Sequence, residues 1–355
     1  MAENPITVQD FGGNAPSQVK GPLVWLDMDQ KELDDAYDQS VYAPNQQLIA
    51  TRRRLASEAM LKRVTPERVA YGPSEDEKLD IYKTARANAP INIFIHGGAW
   101  RNGQARDSAY LAESFINAGA HFVIPDFVLV HNAGGSLMPM AQQVRSAVAW
   151  VYRNAARFGG DPARLYITGH SSGAHLAGCA LVTDWPNEFG LPANILKAGL
   201  VASGMYDLKP VRLSKRSRYV KFTDEIEQAL SSQRHLDQLN APIIVAYGTQ
   251  ETPEFQRQNR EFAAAVKAAG GKSAEGKKVL DAITKLTDEF KRRTDKLEKA
   301  LGHNGAASAD KHAKHYRDAV IPAMAALRET GDELETVIPH ETWPLATYRE
   351  MLFIK

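Results

Sequence analysis

Apolar and polar positions alternate in blocks through the middle of the chain. Short apolar runs of strand length (Ile91 to Ile95, His121 to Pro125, Leu165 to Thr168, Ala198 to Ser203 and Ile243 to Tyr247) are separated by longer segments. In those segments apolar residues recur at helical spacing: Tyr110 to Ala118, Met140 to Phe158, Ser172 to Leu181 and Glu254 to Ala269. This alternation predicts an α/β fold, a mostly parallel sheet with helices on both faces and its chemistry in the loops at the carboxyl edge. Ahead of it, Asp27 to Ala59 reads as helices with charged outer faces. Arg68 to Tyr71 and Lys78 to Tyr82 read as opening strands joined by a turn at Gly72-Pro73.

The two ends differ from this middle. Residues 1–22 are rich in Gly, Pro, Asn and Gln without period and predict a loosely held arm. Lys209 to His235 is irregular and basic, a cap segment expected to decide selectivity. After Gly270-Gly271 the chain turns Lys- and Glu-rich, with Val279, Ile283, Leu286, Phe290, Leu297 and Leu301 on one stripe, the pattern of a single long amphipathic helix. Gly302 to Ser308 breaks it. Ala309 to Glu329 resumes helical spacing through Tyr316, Val320, Met324 and Leu327, with a kink predicted at Pro322. The organisation is therefore an arm over 1–22, an α/β domain over 23–274 and a helical hairpin extension over 275–355. The apolar face of that extension is open either to the core or to another chain in a homo-oligomer.

Composition narrows the function classes. A chain of 355 residues that is 44% hydrophobic can bury a large core. With 43 basic against 42 acidic side chains it has no global field to recruit nucleic acid or an anionic membrane, and small, nearly neutral substrates are expected. The one cysteine, Cys179, cannot form an intramolecular disulfide and reads as a buried thiol. The N-terminus lacks an apolar signal region and no stretch reaches membrane-spanning length, so a soluble, cytoplasmic protein is expected.

The chemistry lies at two strand ends. Gly169-His-Ser-Ser-Gly173 follows the apolar run Leu165 to Ile167 and has the G-x-S-x-G form of a nucleophile elbow, which turns Ser171 outward at the top of a sheet. Upstream, Ile91 to Ile95 runs into His96-Gly-Gly-Ala-Trp100, a His-Gly-Gly turn that supplies the other half of an oxyanion hole. The backbone amides of Gly97, Gly98 and Ser172 are the expected donors. His96 is expected to orient the loop, and Trp100 to line the acyl pocket. A serine hydroxyl needs a histidine to take its proton and a carboxylate to orient that histidine. Glu251, just after the strand Ile243 to Tyr247, takes the orienting role. Glu254 is assigned to structure in the first turn of the next helix, and Asp207 is the fallback acid. No Cys/His cluster suggests a metal, and neither metal nor organic cofactor is required.

Residues 23–274 resemble the kynurenine formamidase and arylformamidase branch of the α/β hydrolases, with related carboxylesterases. The resemblance rests on Leu33 to Asp38, His96 to Trp100, Ala149 to Pro162, Gly169 to His175 and Glu251 to Phe255. It implies an α/β-hydrolase fold and hydrolysis of a small ester or an aryl formamide such as N-formylkynurenine. The family usually has Asp where Glu251 stands, and Phe127 to Asn132 departs from its usual loop. It also implies a catalytic histidine in an Asn-His-Phe context near residue 283, yet no histidine lies between His235 and His303. From about Lys277 onward the chain instead resembles the tail of type III glutamine synthetases, in Lys296 to Leu301, Val320 to Arg328, Asp332 to Val337 and Trp343 to Tyr348. That segment lacks the synthetase's nucleotide and metal sites.

Of the histidines after Glu251, His312 and His315 read as solvated and His303 as an exposed turn residue. His340 follows a strand-like run, Leu334 to Ile338, and is the candidate base. Two readings stand: a serine hydrolase acting through an acyl-enzyme, and a hydrolase-like scaffold lacking its histidine whose tail serves assembly. A glutamine synthetase fragment is disfavoured because only tail motifs are present.

Overall fold

The computed structural model describes residues 20–270, 273–275, 277–302 and 308–337. The chain divides into two compact units, Met1–Ser273 and Ala274–Lys355. Within the first, seven strands build the sheet: β1 (Glu67–Ala70), β2 (Lys78–Tyr82), β3 (Ala89–Ile95), β4 (His121–Pro125), β5 (Gly160–His170), β6 (Leu196–Ala202) and β7 (Ile243–Ala246). They lie in the order 7-6-5-3-4-2-1. β2 runs antiparallel to both its neighbours, and the pairs from β4 through β3, β5 and β6 to β7 are parallel. The three-residue strand Ser273–Glu275 lies at the boundary between the units.

The central strands are apolar because both faces are covered. Ile91, Ile93 and Ile95 of β3 and Leu165 and Ile167 of β5 are fully buried. Helix α1 (Gln30–Ala36) opens on a capping box between Asp29 and Glu32, and α2 (Gln46–Arg63) follows. Helix α3 (Met138–Asn154) buries Met140, Val144, Ala147, Val148 and Val151, one stripe at the 3.6-residue period. Helix α4 (Ser172–Leu181) is buried along its whole length, and α5 (Pro253–Ala268) packs Phe255, Phe262 and Val266 inward. A short antiparallel pair, Leu23–Trp25 with Met28–Asp29, precedes α1 and had no counterpart in the predicted elements. The cap segment is less irregular than expected, containing short helices at Leu208–Leu213 and Asp224–Leu230.

Close approach of α4 to the sheet explains the second elbow glycine. A Cβ at Gly173 would lie 2.1 Å from the Ile95 carbonyl oxygen and 2.4 Å from that of His96, both rigid backbone. Gly173→Ala is therefore expected to cost at least about 3 kcal/mol, the upper part of the overpacking range. In thermal unfolding this is a Tm drop of roughly 6–12 °C. A Tm within a degree of the parent would show that the helix can move away from the strand.

In the second unit, α6 (Lys277–Leu301) and α7 (Ile321–Val337) pack together as a hairpin, linked through Ala309–His315 and a π-helical turn, Tyr316–Val320. Arg293 of α6 donates to the Ala326 carbonyl at 2.5 Å and pairs with Glu329 at 3.0 Å, while Val320, Ala323, Thr330 and Leu334 are buried. The distortion predicted at Pro322 takes the form of that π turn. Pro322 has no amide hydrogen for the Asp318 carbonyl, and the turn containing Asp318 widens. The strand expected over Leu334 to Ile338 is corrected: helix α7 runs through Val337, because Leu334 packs into the hairpin. His303 and His340 lie outside the described residues. Among the described residues no helix is long and apolar enough to cross a membrane.

Candidate active site

The carboxyl end of β5 passes into α4 through Ser171, whose backbone sits at φ 57°, ψ −126°, a conformation a serine adopts only when its surroundings enforce it. Its amide donates to the Ala202 carbonyl of β6 at 2.8 Å, and its own carbonyl accepts from Ala174 and His175 in the first turn of α4. Gly169 leaves room for this turn, since a Cβ there would lie 2.6 Å from the Gly173 carbonyl oxygen. Gly169 is thus a steric requirement of the sharp turn, and Gly173 one of the approach of α4 to the end of β3.

The His-Gly-Gly loop lies against that turn. A Cβ at Gly97 would be 2.8 Å from the His170 carbonyl oxygen and 3.1 Å from Ser171 Cβ, so only glycine brings this backbone beside the nucleophile. Gly98 (φ 127°), Ala99 (φ 53°) and Trp100 (φ 63°) carry the loop through a left-handed stretch. The Trp100 amide donates to Ser172 Oγ at 3.2 Å and fixes the loop to the elbow. Ser172 begins α4, where the first amides of a helix have no partner within it. Gly97 is therefore packed against Ser171, and Ser172 follows it at the first turn of α4.

Trp100 does not line the cleft. Its indole is 1% exposed, donates through Nε1 to His175 Nδ1 at 3.2 Å and stands edge-on to that ring, so the acyl-pocket role expected of it is withdrawn. His96 reaches the cleft wall, but it stacks on Phe127 at 4.5 Å and its Nδ1–H donates to the Gly97 carbonyl at 3.0 Å. Burial lowers its pKa, and it holds the loop as a neutral ring. Burial likewise pushes His175 to about 4, with its Nε2–H donating to the Leu230 carbonyl at 2.9 Å. The Cys179 thiol is pushed up to about 11 by burial and is inert at neutral pH.

Glu251 occupies the loop after β7. Its Oε1 accepts from Ser203 Oγ at 2.5 Å and from the Gly248 amide at 3.1 Å. Its Oε2 is buried with no partner among the described residues. Ser203, which sequence reasoning left as the end of a strand, sits just past β6 at φ 57° and anchors this carboxylate. Glu254 is elsewhere occupied: 1% exposed, it pairs with Arg257 at 2.6 Å and accepts from the Tyr37 hydroxyl at 2.9 Å. Asp207 caps Leu208–Leu213 and pairs with Arg234 at 3.1 Å, which removes it as the orienting acid.

Ser171 opens on a cleft of about 930 Å³ lined by the segment Tyr37 to Ser40 after α1, residues of α2, the His-Gly-Gly loop, His170 and the cap turn at Lys215 to Tyr219. His170, next to the nucleophile, has its pKa pushed to about 4 by burial and by the Arg53 charge. Among the described residues no histidine is hydrogen-bonded to Glu251, and no group of His, Cys, Asp and Glu could hold a metal ion.

A strained serine between two glycines at a parallel strand end, a His-Gly-Gly loop packed against it and a carboxylate two strands further out together define a hydrolase of the α/β-hydrolase fold. The family model BD-FAE matches residues 79–196, which span both motifs. Kynurenine formamidase of Danio rerio is 31% identical over 296 residues, covering 78% of this chain and 98% of that protein. Kynurenine formamidase of Salmo salar is 32% identical over 229 residues, 62% of this chain and 74% of that one. The solved structure of a candidate thioesterase from Silicibacter sp. superimposes with a TM-score of 0.60 at 21% identity, over 69% of this chain and 89% of that chain. The chain belongs to the kynurenine formamidase family, and it is a hydrolase.

Proposed function

We propose that the chain hydrolyses an aryl formamide of the N-formylkynurenine type, or a small carboxylic ester, through an acyl-enzyme on Ser171. The observation that carries this is the Ser171 elbow at φ 57°, opening on the cleft with Gly97 packed against it. Ser171 Oγ attacks the carbonyl carbon while a histidine takes its proton. The amides of Gly97, Gly98 and Ser172 receive the oxyanion, and the imidazolium returns the proton to the departing aniline or alcohol. Water then attacks the acyl-enzyme with the same histidine as base, releasing the acid and the free serine. The unpartnered Oε2 of Glu251 is the acceptor for that histidine's Nδ1–H, with Ser203 and Gly248 holding the other oxygen. His340 is assigned the base, acting in the cytoplasm on a small, soluble substrate.

A second reading is favoured by the lack of any described histidine bonded to Glu251: a hydrolase-like scaffold of weak turnover, whose tail, resembling that of glutamine synthetases, mediates assembly into oligomers. Formanilide separates the two. Formate and aniline released in equal amounts, at a rate that requires Ser171, support the hydrolase. Release of neither contradicts it.

A further inference from the structure

The chain is nearly neutral, but the cleft is not. Five of its wall residues are basic: Arg53, Arg54, Arg101, Lys215 and Arg216. Two are neutralised locally, Arg54 by Glu58 at 2.6 Å and Lys215 by Asp38. Of the carboxylates on the wall, Asp38 is thus engaged, and Asp107 accepts the Gln104 amide at 2.9 Å. Arg53, Arg101 and Arg216 have no carboxylate within ion-pair distance among the described residues.

Arg216 is the most informative. It is 6% exposed, and a buried guanidinium without a counter-charge is costly unless something supplies one. Its donors reach only neutral acceptors, the Tyr219 hydroxyl at 3.1 Å and the Tyr37 carbonyl at 3.2 Å, and its Nε has no partner. The faces of Trp100, Tyr37 and Phe255, 5.5 to 5.9 Å away, offset part of the charge. The Arg101 guanidinium lies 4.2 Å over the same Tyr219 ring whose hydroxyl accepts from Arg216. One tyrosine thus holds two like charges on one wall of the Ser171 cleft, an arrangement that repels itself until an anion enters. Fixed guanidinium forks match a carboxylate.

We propose that Arg216 and Arg101, organised by Tyr219, form an anion subsite that binds a carboxylate on the leaving-group side of the substrate. The inference rests on the reading of Ser171 as the nucleophile of this cleft, and it selects formamides or esters bearing a carboxylate over neutral ones.

Binding measured without turnover tests it. In a Ser171→Ala background, calorimetry with 3-(2-formamidophenyl)propanoate and its primary amide compares a carboxylate with a neutral group of the same shape. The carboxylate is expected to bind about tenfold tighter or more, as a charge-assisted pair gives. Arg101→Met and Arg216→Met should each reduce that ratio severalfold without weakening the amide, while Arg216→Lys should retain part of it. Arg101 is exposed and its side chain makes no hydrogen bond among the described residues, so its variant decides the matter if Arg216→Met disturbs the fold. Equal affinities for the two ligands, or a ratio untouched by Arg101→Met, would overturn the subsite. Catalysis does not enter this measurement, so an inactive parent enzyme would count against the hydrolase reading alone, and equal binding with Ser171-dependent turnover would count against the subsite alone.

Discussion

Replacing Ser171 by alanine is expected to lower kcat on formanilide or 4-nitrophenyl acetate by about 10⁴- to 10⁶-fold, the range for losing a serine nucleophile. The large effect follows from chemistry, because neither the adjacent hydroxyl of Ser172 nor the thiol of Cys179 on the same helix is free to replace it. Ser172 Oγ is occupied by the Trp100 amide, and the Cys179 thiol is buried and protonated. Stability should change by no more than about 0.5 kcal/mol, since an alanine retains the same backbone strain and no hydrogen bond to Ser171 Oγ is lost. Steady-state kinetics beside thermal unfolding measures both. A loss of activity below tenfold would place the nucleophile elsewhere.

Glu251→Gln is expected to lower kcat by roughly 10⁴-fold while leaving the fold intact, as when an orienting carboxylate becomes an amide. The glutamine carbonyl can take over the bonds from Ser203 Oγ and the Gly248 amide. Its NH₂ then occupies the Oε2 position and faces the histidine's Nδ1–H, donor against donor. The imidazole is driven to the other tautomer, which presents N–H to Ser171 and cannot accept its proton. Stability should be retained or increased, because burying a neutral amide costs less than burying a carboxylate with an unpartnered oxygen. A kcat within tenfold of the parent would show that this carboxylate has no part in orienting the base. Glu254→Gln offers the contrast: it weakens the pair with Arg257, so its effect is expected in stability instead.

The parts of this site that were legible in the sequence are those imposed by local sterics. Gly169 is required by the Gly173 carbonyl oxygen in the same turn, and Gly173 and Gly97 by the backbone of the neighbouring strand ends. The mostly parallel sheet followed from alternation, although β5 begins at Gly160, well before the apolar run at Leu165, because Ala89 pairs with Gly160 across the sheet. What the sequence concealed depends on long-range pairing. Ser203 meets Glu251 only because Ala202 and Ala246 are in register on β6 and β7. Trp100 turns inward because α4 presents His175 to it, a contact no spacing rule describes. Arg216 read as one more charge in a basic segment, and only its burial against three rings sets it apart. At Leu334 to Ile338 the β-branched residues suggested a strand, but packing of Leu334 in the hairpin overrode that local preference.

The claim that Ser171 forms a covalent intermediate is tested most directly by brief exposure of the chain to a 4-nitrophenyl alkylphosphonate, followed by peptide mass mapping. The account predicts one phosphonyl group per chain on the peptide containing Ser171, a matching burst of 4-nitrophenol, and neither in Ser171→Ala. An unlabelled chain, or equal labelling of the parent and the variant, would contradict it.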